Sequence, residues 1–121
     1  MRVFMVPMVA IGVLVCDRSD EPRETAMRAA FQVRLAADVQ GALDFIAETS
    51  GPDGVTRVRS SGTDRFEIRS FKKLDCRRNE GEPGHVCAFA VDVSVVNGSI
   101  QRTLQGRFMS GRNGLVFADE S

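Results

Sequence analysis

Three cysteines and one histidine are the residues of this chain best able to do chemistry: Cys16, Cys76, Cys87 and His85. Cys76 and Cys87 flank one polar stretch, 77–85, and their spacing fits no zinc ribbon. With a single His there is no closed ligand set, so neither a metal nor another cofactor is expected. In an oxidising compartment two such thiols read as a disulfide across the loop. In a reducing one they would be a pair of small buried residues. Pairing them leaves Cys16 as the odd thiol. It ends an apolar run, Val3 to Val15, that Arg2 precedes, and it is followed at once by Asp17-Arg18-Ser19-Asp20-Glu21.

That run falls short of the roughly 20 apolar residues needed to cross a bilayer as a helix. Its length suits the apolar region of a secretory signal, and Pro7 would interrupt a longer helix. Leu14-Val15-Cys16 resembles the lipobox of bacterial lipoproteins, with Val15 where that family has a small residue. The resemblance covers residues 1–16. It implies cleavage before Cys16, a diacylglycerol on its thiol, and retention at the inner membrane through Asp17. An ordinary signal, an uncleaved anchor and a buried strand are the other readings of the same run. The expected organisation is a signal or anchor over 1–15, a short tether over 16–21 and one domain over 22–121. About 100 residues suffice for a single small core.

Catalytic signatures are lacking: no Gly-x-Ser-x-Gly, P-loop or dinucleotide fingerprint occurs. His85 is read as an exposed loop residue. Asp92 interrupts an apolar run and is expected on a solvated outer face, and Asp119-Glu120 belong to a polar tail. The formal charge is zero, and all eight aromatic residues are Phe, with no Trp or Tyr. Both facts argue against nucleic acid or sugar, which take stacking rings on the surface. Charge is nevertheless segregated. Residues 17–54 carry four Arg and eight acids, whereas 55–78 carry eight bases and three acids. Arg57, Arg59, Arg69, Lys72, Lys73, Arg77 and Arg78 therefore form a candidate basic face for an acidic partner or lipid headgroups. The alternative is a solvated sheet surface facing an acidic helix.

These residues need elements to position them. Met27, Phe31, Leu35, Val39, Ala42, Leu43 and Ile46 recur at steps of three and four, the stripe of a helix over about 22–49. Ser19 or Asp20 would cap it, and Gly51-Pro52 would stop it. Gly41 costs about 1 kcal/mol within it relative to Ala, so close packing or a bend is expected there. Val55–Arg59 reads as a short strand and Arg65–Cys76 as a second, with a bulge near Ser70-Phe71. Val86–Val96 alternates clearly, with Cys87, Phe89, Val91, Val93 and Val95 on one face. Asn97-Gly98 signals a hairpin. Ile100, Leu104 and Phe108 line the next strand, and Leu115–Ala118 form the last.

The expected fold class is α+β: one long N-terminal helix packed across a four- to five-stranded antiparallel meander sheet. This element order resembles the cystatin-like, cone-shaped α+β folds of small exported domains. The functional expectation is a non-catalytic, exported interaction domain, held at the membrane by its N-terminus on the periplasmic side. Another envelope protein would be its partner, and no nucleic acid is involved. The alternative is a small-ligand binder or enzyme using a cavity between helix and sheet, lined by Phe31, Leu35, Phe89, Phe108 and Phe117.

Overall fold

The computed structural model describes residues 21–119. One helix, α1 (Glu24–Ser61), precedes four strands: β1 (Phe66–Arg77), β2 (His85–Val95), β3 (Gly98–Gly111) and β4 (Gly114–Asp119). The strands pair antiparallel in chain order, so the sheet is a meander. The α+β layout is the one expected from the apolar periodicities. Cys16, Ser19 and Asp20 lie outside the described residues.

α1 begins after Arg23, an N-cap with extended backbone and no side-chain cap. Its stripe buries Met27, Ala30 and Phe31 against the sheet, with Leu35 packed beside them. Gly51 breaks the helix at φ 70, ψ −172, a conformation that only Gly adopts without strain. Pro52 then starts a second helical limb, where its missing N–H would have had no partner in any case. The break thus falls where Gly51-Pro52 predicts a stop, but the chain resumes as helix. Gly62 ends this limb, its N–H donating to the carbonyls of Val58 and Arg59.

The expected strand over Val55–Arg59 is therefore corrected to helix. Val55 and Val58 are half-buried at helical spacing. Pro52, Asp53 and Gly62 supply the start and stop signals that outweigh the weak β preference of two valines. Gly41 neither bends nor packs closely; it is exposed, and a methyl there would meet nothing within 4 Å.

β1 carries two irregularities, at Arg69 and at Leu74, where the register to β2 slips by one residue. The first lies beside the expected bulge. It returns Phe71 to the face that Ile68 already occupies, so both are buried. β2 pairs with β3 without a slip, from Val95↔Gly98 to His85↔Phe108. The hairpin is present, with Val96 and Asn97 in its loop and Gly98 already paired.

Five phenylalanines fill the space between α1 and the sheet. Phe31 meets Phe71, Phe89 and Phe117 at ring-centroid distances of 6.0, 5.2 and 5.6 Å. Phe89 also stacks on Phe71 at 4.9 Å, and Phe108 packs on Phe89 and Phe117. Gly106 makes room for this cluster, since a methyl there would run into the Phe117 ring. On the outer face Val86 is buried too. The β1–β2 loop folds over that end of the sheet, held by Arg107 donating to Glu82 and to the Pro83 carbonyl.

Candidate interaction site

Two of the three cysteines, Cys76 and Cys87, lie among the described residues. Cys76 and Cys87 are direct cross-strand partners and form a disulfide, S–S 2.10 Å. Cys87 is fully buried in the core cluster and Cys76 packs against it, so neither offers a thiolate. His85 opens β2 rather than lying free in the loop. It is half-buried in a groove of about 500 Å³ with Pro22, Pro83, Phe108 and Leu115. Among the described residues no group of three or more His, Cys, Asp or Glu side chains could hold a metal ion. No described helix is long and apolar enough to cross a membrane.

The seven bases named as a candidate face are distributed over α1, β1 and the residue after it. Arg57 and Arg59 stand on the second limb of α1, Arg69 sits at the first irregularity of β1, and Lys72 is exposed further along that strand. Arg77 and Arg78 are at its far end, eight or nine residues on from Arg69, roughly 25–30 Å along a strand. Lys73 is engaged: its ammonium lies 2.7 Å from Glu21 and donates to the Pro22 carbonyl at 2.8 Å. The hydrogen bond from Lys73 holds the Glu21 carboxyl below its usual pKa. Asp92 is on the outer face as expected but is not fully solvated. Its Oδ2 accepts from Gln101 at 3.5 Å, while Oδ1 is buried with no partner among the described residues.

The N-terminal limb of α1 closes one edge of the sheet. The Glu24 carboxylate accepts the Lys73 backbone N–H at 2.8 Å, and Arg28 donates to the Ile68 carbonyl at 2.6 Å. Farther along, Arg34 bridges to β4 through Asp119 at 2.6 Å and lies 5.9 Å from the Phe117 ring centre. Beyond that point helix and sheet diverge.

The divergence leaves an apolar cleft of about 300 Å³. Phe31, Leu35 and Val39 roof it. Val91, Val93 and Val95 of β2 and Ile100 and Leu104 of β3 floor it, and the α1–β1 connection closes one end. Ile100 keeps 44% of its surface exposed, so the floor reaches solvent. The cavity expected between Phe31, Leu35, Phe89, Phe108 and Phe117 is thus displaced. Phe89 and Phe117 pack against other rings, Phe108 borders the groove beside His85, and of the five only Phe31 and Leu35 line this cleft.

Three charged residues line this cleft, Asp64, Arg65 and Arg102, with Thr63 beside them. Asp64 Oδ1 is buried with no hydrogen-bond partner among the described residues. Arg102 stands in the inward row of β3 between Ile100 and Leu104, and its guanidinium donates to the carbonyl of Gln101 at 3.2 Å. Sequence reasoning passed over Arg102, although the same period of two that places Ile100 and Leu104 inward places it there too. Asp64 carried no such signal, because it lies in a connection with no period.

The outer side of β3 adds a second feature. β4 reaches only as far as Gly106↔Asp119. From Gly98 to Gln105, β3 therefore has no strand on its far side among the described residues. Val95 and Gly98 close a two-residue hairpin, so the even-numbered residues of β3 bond to β2. Ser99, Gln101 and Thr103 then point their N–H and C=O groups away from the sheet, directly beside the cleft. Comparison with known proteins finds no match: no family model fits the chain, and no curated protein or solved structure is significantly similar to it.

Proposed function

We propose that this protein is a non-catalytic, exported interaction domain held at the membrane by its N-terminus, serving as an accessory or assembly subunit of a bacterial envelope complex. The observation that carries the reading is the cleft between α1 and the sheet: open, apolar, floored by half-exposed Ile100 and without a nucleophile–base pair in its lining. Exposed apolar surface beside a few charged groups is a property of protein-binding sites. The Cys76–Cys87 disulfide supports an oxidising compartment. Another envelope protein fits as partner better than nucleic acid, since the bases are spread over two elements and five of the Phe rings are packed inside. Lipid attachment at Cys16 belongs to the same proposal. Intact mass of protein extracted from native membranes is expected to show a chain beginning at Cys16 with a diacylglycerol. Recovery of unmodified protein from the cytoplasm would overturn the reading.

A second reading has one observation in its favour. The partnerless Oδ1 of Asp64 inside an apolar cleft suits a small apolar molecule bearing a hydroxyl or ammonium donor. Such a ligand would raise the melting temperature of the wild type and leave that of Asp64→Leu unchanged.

A further inference from the structure

We infer that β3 takes up an extended segment of a partner protein as an added strand, through Ser99, Gln101 and Thr103, and that this segment carries an acidic residue between two apolar ones. The inference rests on the interaction-domain reading and names the chemistry of its partner. Three outward-facing residues offer a continuous row of backbone donors and acceptors, which an extended peptide satisfies by strand addition. Among the described residues, the one hydrogen bond made to these outward backbone groups is that of the Arg102 guanidinium to the Gln101 carbonyl, a contact that an incoming N–H replaces.

Register then dictates the side chains. Arg102 bonds through its backbone to β2, so a residue opposite it on the added strand is in a non-hydrogen-bonded pair, with Cα atoms roughly 4.5 Å apart and side chains on the same face. That face is the cleft side. A carboxylate there meets the guanidinium released from Gln101. The residues two positions before and after it lie opposite Ile100 and Leu104, over the apolar floor and towards Val39. The partner motif is therefore apolar–x–acid–x–apolar on an antiparallel added strand.

Charge also argues against a second copy as the occupant. Two β3 edges paired antiparallel about Gln101 would set Arg102 opposite Ile100 of the other copy. The two Arg102 side chains would then share one face at the diagonal spacing of roughly 7–8 Å, with no described acid between them.

The test uses the full chain and a synthetic peptide, acetyl-Thr-Val-Thr-Glu-Thr-Val-Thr-amide, titrated to about 1 mM, where a weak complex becomes visible. Amide NMR shifts are expected at Ser99, Gln101 and Thr103 and along the cleft floor. Replacing the peptide Glu with Lys should weaken binding at least tenfold, and Arg102→Glu should invert that preference. Thr103→Pro, a substitution that a strand edge tolerates, should abolish binding while melting stays cooperative. Binding indifferent to Arg102→Glu, shifts confined to another surface, no binding at all, or a dimer formed through β3 would each overturn the inference. If the native protein still cross-links to an envelope protein when Arg102 is changed to Glu, strand addition is wrong and the broader reading stands.

Discussion

At the residue scale, the Cys76–Cys87 bond joins neighbouring strands across one loop and packs into the core through Cys87. Closing a loop of about ten residues restricts the unfolded chain by roughly 3 kcal/mol. The double variant Cys76→Ala/Cys87→Ala should lose about that much in denaturant unfolding, and reductant should lower the wild-type midpoint while leaving the variant's unchanged. The pairing was legible because two thiols flank one polar loop. Arg102 was equally legible from its parity but was hidden by its charge: a cation in an inward row reads as an exception until the cleft that receives it is seen. Asp64 was not legible, because burial in a connection depends on which elements close over it, and no local pattern reports that.

At the scale of elements, α1 shows where local signals compete. Gly51-Pro52 marks a break whether the next segment is helix or strand. Capping at both ends of the ten or so residues after the break decides for helix, and those caps were present in the sequence as Pro52, Asp53 and Gly62. Two glycines of α1 should answer oppositely to the same change. Gly41→Ala fills open space in a regular turn and is expected to stabilise by about 1 kcal/mol. Gly51→Ala forces a side chain to φ 70 and should destabilise by about 1–2 kcal/mol. Thermal unfolding of the two single variants checks the sign of each. Apart from the false strand at Val55–Arg59, β1, β2 and β4 were read to within a residue at each end, since period-two alternation against a Phe core leaves little freedom of register. The bulges were harder. Only the one near Ser70 disturbs the apolar pattern; the slip at Leu74 falls among polar residues and leaves no trace in it.

At the scale of the whole molecule, ion pairs tie the segment before α1 and the β1–β2 loop to the sheet, and their carboxylates titrate low. Glu21 is held down by the hydrogen bond from Lys73, and Glu82 by those from Asn79 and Arg107. A carboxylate depressed in the folded state stabilises above its unfolded value, 4.5 here, and that contribution disappears as pH falls through the folded value. Melting temperature should thus drop as pH is lowered below 4.5, and Glu21→Gln together with Glu82→Gln should flatten the drop. Both groups are largely solvent-exposed, so the effect is small and should shrink in salt.

β1 and the first half of β3 present their outer sides unequally, and this limits how the molecule can associate. β1 is sealed by Glu24 and Arg28 and distorted by two register slips, whereas β3 stays open over its first half. A sheet with two free edges can be extended at both and so can build a fibre. Copies of this chain therefore cannot stack head to tail, β3 of one on β1 of the next, along the stretch that Glu24 and Arg28 cover.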